Sequence, residues 1–404
     1  MKWEKVKLGD LYTVHNGLSK GKKFFGTGFP FLSFSIVFNK WFIPEQLYDL
    51  VEVDEKERNS YSIKKGDVFI TRTSETMEEL GMSTVALKDY PNATYNGFTK
   101  RLRPITELLE PRFIGYYLRT PEFRGKFMAF SAMTTRASLT NDDLLSLEVP
   151  VPPLHVQQRI ASILSTYDDL IENNQKQIKL LEEAVQRLYK EWFVDLRFPG
   201  HEGVKVVDGV PKGWKIKTIE ELADTMSGGT PTRSHEEYYS SGEILWLKTK
   251  ELNDGFIFDT EEKITEAGLK NSSAKLFEKG CIILAMYGAT IGRLGISSVT
   301  MCCNQACCVL KIKEKILFEY VYLWLVNNRE MLISRGRGSA QSNLSQELIK
   351  QIEVRIPSDG VLIKFSNVVD KLLKNKEILE KQISFLREAR DRLLPKLMSG
   401  EIEA

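Results

Sequence analysis

Histidine, cysteine and acidic side chains carry out much of protein chemistry, and in this 404-residue sequence their spacing favours no catalytic centre. The four histidines are scattered and match no metal-ligand spacing. The stretch from Gly288 to Gly295 lacks the Lys-Ser/Thr ending of a phosphate-binding loop, which favours a tight turn between strands. The prolines of Val151–Leu154 lack the preceding Asn or Asp of adenine methyltransferase motifs. We therefore predict that the chain is not an enzyme.

The cysteines are the potential metal ligands that cluster most closely. Cys302, Cys303, Cys307 and Cys308 form two adjacent pairs, and Cys281 precedes them. They have no distant partner pair and no neighbouring histidine, and apolar residues are interleaved with them. This pattern favours small hydrophobic residues in a buried strand or hairpin over a zinc site, so we predict no bound metal.

Basic side chains in turn-rich segments remain as candidates for binding a ligand. The net charge is only +2, so a polyanionic partner would have to be met by local clusters. Arginine forks and amides read base edges in DNA, whereas lysines and hydroxyls more often hold phosphates. Side chains of these types recur in turn-rich segments of both halves of the chain. On this basis we predict DNA-binding residues at Lys22, Lys23, Arg72, Thr73, Lys100, Arg101, Arg136, Arg233, Lys248, Arg293, Arg335 and Arg337.

The elements that would position these residues occur twice. Residues 176–184 match residues 381–389 at most positions, and the same shift places residues 138–140 on residues 343–345. Lys65–Ile70 correspond to Lys279–Leu284 at a different offset, as loops of unequal length require. Because the order of features is preserved, we predict a domain duplication and not a short repeat.

Each half begins with short strands and ends in a long helix. Apolar runs bounded by turn residues predict strands at Asp67–Arg72 and Ser83–Leu87, whereas Arg112–Leu118 and Phe318–Val326 have helical spacing. A strand that ends in proline then precedes each long helix.

The long helices carry the strongest periodic signal. Apolar residues recur in steps of four and three from Ile160 to Trp192 and from Phe365 to Leu397, which predicts helices roughly 50 Å long that pack as an antiparallel coiled coil. The predicted seam residues are Ile160, Leu164, Ile171, Ile178, Leu181, Leu188, Phe365, Leu372, Leu379, Leu386 and Leu393.

Polar residues interrupt both seams. Asn174 interrupts the first, and Lys376 and Arg390 interrupt the second. Asn174 and Lys376 could set the register of the helix pair, or they could simply be solvated at helix ends.

The chain resembles the specificity subunits of type I restriction-modification systems over essentially its whole length. The strongest resemblance lies in Val149–Ile160 and Leu393–Gly400, and Lys64–Val68 and Tyr287–Gly292 are similar to blocks in the family's target recognition domains. Blocks of this kind are moderately specific singly and highly specific in this order.

The resemblance implies an α+β fold with a pseudo-two-fold internal duplication. It implies two target recognition domains, 1–153 and 199–357, and two conserved helices, 154–198 and 358–404. Each domain would read one half of a bipartite site in double-stranded DNA. The helices would set the spacer and dock two DNA methylation subunits, with two restriction/translocase subunits as further partners. S-adenosylmethionine, ATP and Mg would be bound by those partners, and no cofactor by this chain.

Two rival functions remain open. A coiled-coil scaffold without DNA binding would show no salt-dependent affinity for DNA, and a self-contained methyltransferase or nuclease would act alone. The N-terminus has no apolar targeting segment, so we expect a cytoplasmic protein without membrane contact.

Overall fold

A computed structural model of the chain describes residues 3–72, 80–131, 140–336 and 343–404. It contains two compact units, unit 1 (Met1–Ile171 and Phe385–Ala404) and unit 2 (Glu172–Ser384). The boundary between the units falls inside both long helices, so each unit contains a part of each helix. Within the described ranges, no helix is long and apolar enough to cross a membrane.

The described strands of unit 1 are β1 (Lys5–Lys7), β2 (Tyr12–Asn16), β3 (Phe25–Leu32), β4 (Leu50–Val51), β5 (Val68–Thr71), β6 (Ser83–Val85), β7 (Thr94–Tyr95), β8 (Thr99–Pro104) and β9 (Glu148–Pro150). Its helices are α1 (Leu8–Leu11), α2 (Phe34–Asn39), α3 (Glu55–Ser60), α4 (Pro111–Tyr117), α5 (Pro121–Ser131) and α6 (Asn141–Ser146). The first long helix, α7 (Leu154–Tyr189), follows and ends in a π-helical turn, Lys190–Val194.

The described strands of unit 2 are β10 (Val206–Val207), β11 (Val210–Pro211), β12 (Lys215–Thr218), β13 (Ala223–Ser227), β14 (Ile244–Leu247), β15 (Phe256–Ile257), β16 (Lys263–Ile264), β17 (Ile282–Ala285), β18 (Leu294–Ser297), β19 (Cys302–Cys303), β20 (Cys307–Ile312) and β21 (Glu353–Ile356). Its helices are α8 (Ile219–Leu222), α9 (Glu266–Lys270), α10 (Phe318–Asn327), α11 (Arg329–Gly336) and α12 (Gln346–Lys350). The second long helix is α13 (Asp359–Ser399).

The two units repeat the same strand order. The main sheet of unit 1 has the order β2-β8-β5-β6, and unit 2 has β13-β20-β17-β18 with β15 added at the edge. The smaller sheets, β4-β3-β7 and β16-β14-β19, each combine one antiparallel and one parallel pair. The two-stranded pairs β1-β9 and β12-β21 also correspond. The predicted duplication and the helices predicted after each main sheet are therefore confirmed.

The register of the main sheets is the same in both units. Val68 pairs with Leu102 in unit 1, and Ile282 pairs with Leu310 in unit 2. The turn into each of these strands has a glycine at positive φ, Gly66 at 85° and Gly280 at 83°, where a residue with a side chain would be strained. The repeated Lys-Gly pair in the sequence is thus explained by one backbone conformation used twice.

Alternation along the central strands places the core on both faces of each main sheet. In unit 1, Val68 and Ile70 pack with the helices, whereas Phe69 packs with the smaller sheet. In unit 2, Ile282 and Leu284 face the helical core and Ile283 faces the opposite core. Because both faces are covered, these strands are apolar runs without polar alternation.

The long helices pack against each other within each unit and run antiparallel there. In unit 2, Asn174 Nδ2 lies 3.1 Å from Gln382 Oε1, and Trp192 contacts Phe365 with ring centroids 5.6 Å apart. In unit 1, Ile160 belongs to the same core as Leu394 and Leu397. Of the predicted seam residues, Ile160, Leu164, Ile171 and Phe365 are buried, and the others are half-buried. Regular coiled-coil geometry stays a prediction.

The polar seam residues lie well inside the helices and are buried. Asn174 is 6% exposed and Lys376 is 4% exposed, so the interpretation of both as solvated helix ends is wrong. Each has a partner on the facing helix, which is Gln382 for Asn174 and Glu182 for Lys376.

Equivalent leucines of the two main sheets provide a test of the duplicated core. Leu102→Ala and Leu310→Ala remove fully buried side chains, and each is expected to lower the free energy of unfolding by about 2–5 kcal/mol. Leu180→Ala, whose side chain is 64% exposed, is the control and should cost less than about 0.5 kcal/mol in urea denaturation. A cost at only one of the two sheet positions would contradict equivalent cores.

Candidate nucleic-acid interface

The end of β5 in unit 1 carries an arginine with unused hydrogen-bonding capacity. The backbone N–H of Arg72 donates to Phe98 O at 3.0 Å, while its buried Nε has no hydrogen-bond partner in the part of the chain that the structure describes. Phe98 beside it is 59% exposed. The Arg72 residue as a whole is half-buried, so the contact with a phosphate oxygen that we expect here would be made by its guanidinium beside the exposed ring, and not by the buried Nε.

Lys100 lies next to this arginine on β8. Its ammonium donates to Asn141 Oδ1 at 2.5 Å. Burial lowers the pKa of Lys100 and the positive charge of Arg72 lowers it further, whereas the carboxylates of Asp143 and Asp142 raise it. Arg72 and Lys100 are therefore close enough to repel each other, and Asp143 and Asp142 offset part of this effect on Lys100. We refer to Arg72, Phe98, Lys100 and Asn141 as the strand-end face of unit 1.

Arg101, the next residue, is occupied inside the domain. Its Nη1 donates to the backbone carbonyl of Ser62 at 2.7 Å, and its guanidinium lies 5.4 Å from the centre of the Tyr95 ring. The side chain is on the sheet face opposite to Lys100, because neighbours along a strand alternate. Contact between Arg101 and DNA would require these internal bonds to break.

The predicted lysines near the N-terminus are at the surface. Lys22 and Lys23 are exposed in a 3-10 turn, and Lys23 Nζ lies 5.0 Å from the centre of the Phe24 ring. Neither has an ion-pair partner within the described ranges. Both are therefore available to a phosphate backbone.

In unit 2, Arg233 and Lys248 share one carboxylate. Arg233 Nη1 lies 2.6 Å from Glu262 Oε2, and Lys248 Nζ hydrogen-bonds to Glu262 Oε1. These hydrogen bonds lower the pKa of Glu262, first through Arg233 and then through Lys248. Arg233 also stacks over Tyr239, 4.3 Å from its ring centre. These ion pairs with Glu262 neutralise much of the positive charge of Arg233 and Lys248, which were predicted to bind DNA.

Arg293 and Arg335 are exposed and belong to neighbouring segments. Arg293 follows the turn that joins β17 to β18, and α11 contacts this turn because Arg329 Nε donates to Gly292 O at 2.9 Å. Neither has an ion-pair partner among the residues the structure describes. Tyr287, which is 36% exposed, lies in the same turn, and with Arg293 it forms the strand-end face of unit 2.

Thr73, Arg136 and Arg337 lie outside the described residues. Residues that follow two of the undescribed segments contact the strand-end faces or their neighbours. Asn141 accepts a hydrogen bond from Lys100, and the backbone N–H of Leu344 donates to the carbonyl of Met286, next to Tyr287, at 3.0 Å. The chain that follows these two segments is thus anchored beside the strand-end faces.

The register corrects one step of the sequence argument. Lys100 and Arg101 correspond to Cys308 and Val309 in unit 2, so these cations do not recur at matching strand positions. The exposed aromatic residues of the strand-end faces, Phe98 and Tyr287, were not among the DNA-binding residues predicted from the sequence. Their signal in the sequence is weak because single aromatic residues are common in turns and in cores alike.

The five cysteines are buried, as predicted. Burial raises the pKa of Cys302 and of Cys308 to about 12. No group of three or more metal-ligating side chains occurs among the described residues. The glycine-rich stretch forms the predicted turn between β17 and β18.

Comparison with known proteins identifies the family. Residues 1–183 and 211–384 match the type I restriction modification DNA specificity domain. The chain belongs to this family. It is 26% identical over 416 residues to the type I restriction enzyme MjaIX specificity subunit of Methanocaldococcus jannaschii, covering 99% of this chain and 93% of the relative. It is 24% identical over 472 residues to the HindI specificity subunit of Haemophilus influenzae, covering 99% of each.

A solved structure shares the fold. The S subunit of a type I restriction-modification system from M. genitalium aligns with a TM-score of 0.62 and 18% identity, covering 98% of this chain and 96% of that one. The family match confirms the resemblance drawn from the sequence blocks, and the relatives' names agree with the prediction of a non-catalytic specificity subunit.

Arg72→Met tests the strand-end face of unit 1. We expect weaker binding to duplex DNA and a salt dependence of log K that is shallower by about one unit, because one phosphate contact is lost. Lys88→Met is the matched control, since Lys88 belongs to the same unit and pairs with Glu45 beyond the other end of β6. Titrations at several salt concentrations measure both; an unchanged slope for Arg72→Met would remove it from the interface.

Proposed function

We propose that this chain is the specificity subunit of a type I restriction-modification complex and that each recognition domain reads one half of a bipartite DNA site. The observation that carries the proposal is the duplication, in which two units with the same strand order and register each match the family's DNA specificity domain. Half-sites on DNA lie about one helical turn, ~34 Å, apart, which suits two similar readers in one chain.

The proposed DNA contacts are the strand-end faces together with Lys22, Lys23 and Arg335. Arg72, Lys22 and Lys23 in unit 1, and Arg293 and Arg335 in unit 2, are cations without an ion-pair partner within the described ranges. We assign phosphate contacts to them, with Phe98 and Tyr287 beside them. Thr73, Arg136 and Arg337 remain predicted contacts from the sequence. Arg101, Arg233 and Lys248 are assigned to internal support, because their charges are already engaged.

The middle of the helix pair is the proposed docking surface for two methylation subunits. In unit 2, Leu180 is 64% exposed and Ile378 is 55% exposed, and both line a groove between α7 and α13. Apolar side chains at such exposure on long helices are typical of an interface that another subunit covers. S-adenosylmethionine would bind to those partners, and ATP and Mg to two restriction/translocase subunits where these are present.

The rival functions make different predictions. A scaffold without DNA binding would show no steep loss of affinity with salt, and a self-contained methyltransferase or nuclease would modify or cut DNA without partners. The family match favours specificity over both.

Exchange of one recognition domain tests modular reading. Replacing residues 1–150 with the corresponding part of another specificity subunit should change one half of the methylated sequence and leave the other half unaltered. Mapping of methylated adenines in cells that also express the methylation subunits measures the site, with the parent chain as control. A change in both halves, or in neither, would show that the domains do not read independently.

Insertion of a heptad tests whether the helices set the spacer. Seven residues inserted after Gln175 and seven after Lys381 preserve the pairs Asn174–Gln382 and Glu182–Lys376. At ~1.5 Å per residue the insertion adds roughly 10 Å, or about three base pairs at ~3.4 Å each, so the accepted spacer should lengthen.

The insertion after Gln175 alone is the control, because it moves Glu182 away from Lys376 and should destabilise unit 2. If the doubly extended protein folds and methylates the original spacer, the helices do not determine it.

A further inference from the structure

The two cations that interrupt the seam of α13 connect the helix pair to the rest of their own unit. In unit 2, Lys376 Nζ lies 2.6 Å from Glu182 Oε1 on α7 and donates a hydrogen bond of 2.8 Å to the backbone carbonyl of Asp254. Only 5% of the Lys376 side chain is exposed. One buried charge thus joins α13, α7 and the loop that precedes β15.

That loop, Asn253–Phe256, is held by several further bonds. The backbone N–H of Phe256 donates to Glu380 Oε2 at 2.7 Å, and the Tyr322 hydroxyl donates to Asp254 O at 2.8 Å. A Cβ at Gly255 would lie 2.7 Å from Glu380 Oε1, so a larger residue there would have to displace this carboxylate. We call Lys376, Glu182, Glu380 and this loop the unit-2 clamp.

The other end of the loop is bonded to the main sheet of unit 2. The Asp254 carboxylate accepts from the backbone N–H of Leu294 on β18 at 3.0 Å and from Arg329 on α11 at 2.5 Å. Asp254 is therefore bonded to α13 through its backbone carbonyl and to β18 and α11 through its carboxylate.

Unit 1 has a clamp of different composition. Arg390 Nη1 donates to Asp168 Oδ1 on α7 at 2.5 Å, and its guanidinium lies 5.1 Å from the centre of the Trp41 ring. The hydroxyl of Tyr116 on α4, a fully buried residue, donates to the other oxygen of Asp168 at 2.5 Å. Trp41 is itself bonded to the main sheet, because its carbonyl accepts from the N–H of Val85 on β6. Arg390, Asp168, Trp41 and Tyr116 form the unit-1 clamp.

An apolar residue at either position would satisfy the helix seam with less desolvation. The cations instead fix the geometry of the contact, because a charge-assisted hydrogen bond holds its partner at a defined angle and distance. We propose that Lys376 and Arg390 are positioning residues that hold each recognition domain in one orientation on the helices, and that they thereby restrict the accepted half-site spacing. The inference about half-site spacing rests on the proposed function, whereas the inference about domain orientation rests on geometry alone.

Lys376→Met and Arg390→Met test the two clamps separately in the full chain with its methylation subunits. Lys374→Met and Arg392→Met are the matched controls, because those cations lie on the same helix and their ion pairs within the described residues are with α13 carboxylates, Asp370 and Glu388. The first readout is amide hydrogen exchange. In Lys376→Met, exchange at Asn253–Phe256 should rise by about tenfold or more, the size of one lost charge-assisted hydrogen bond. In Arg390→Met the same rise is expected around Trp41 and Tyr116.

The second readout is the mapping of methylated sites. Each clamp variant should methylate sites whose spacer is one base pair longer or shorter than the parent's spacer. We expect this methylation to be about tenfold higher in the clamp variant than in its control. The bases read in each half-site should stay the same. The milder variants Glu182→Gln and Asp168→Asn keep a hydrogen-bond acceptor and should show a smaller change in the accepted spacer. They provide the test if a methionine variant does not fold.

The outcomes separate the two claims. Unchanged exchange in both the methionine and the amide variants would overturn the clamps themselves. Raised exchange with an unchanged spacer preference would show a purely structural role and would overturn the positioning. If the parent complex methylates no bipartite site, the proposed function fails, whereas the exchange measurement still decides whether the clamps exist.

Discussion

Burial of the apolar seam on α7 and α13 is the interaction on which the rest of the protein depends. Each unit takes part of its core from both helices, with Ile160 and Leu394 in unit 1 and Val185 and Phe365 in unit 2. Burying one such side chain contributes about 1.5–3 kcal/mol, so the helix segments contribute substantially to each unit. Neither recognition domain is therefore a free-standing module, although each has its own sheet.

How much of this could be predicted from the sequence depends on how local each signal is. The helices, the buried strands and the turn at Gly288 follow from spacing within a few residues, and the structure confirms them. Part of the duplication, the match between Lys65–Ile70 and Lys279–Leu284, was visible because the turns at Gly66 and Gly280 need the same residue type at the same place. The family blocks added the identity, which no physical pattern in the chain specifies.

The partners of charged residues could not be predicted in this way. Arg101 and Arg72 look alike in the sequence, and each has a buried Nε without a partner among the described residues, but Nη1 of Arg101 donates to the backbone carbonyl of Ser62. The difference depends on where a distant loop places a carbonyl oxygen. Likewise, Lys376 weakens the seam pattern, and only the folded chain shows that its charge is used by Glu182 and Asp254.

The division of the long helices between units also affects the order in which the chain can fold. Residues 385–404 complete the core of unit 1, but they are synthesised only after the whole of unit 2. At ~5–20 residues per second, the apolar surface of unit 1 would wait roughly 10–40 seconds for its last helix. The domain that leaves the ribosome first is thus the one finished last, and in that interval it is exposed to aggregation and to chaperones.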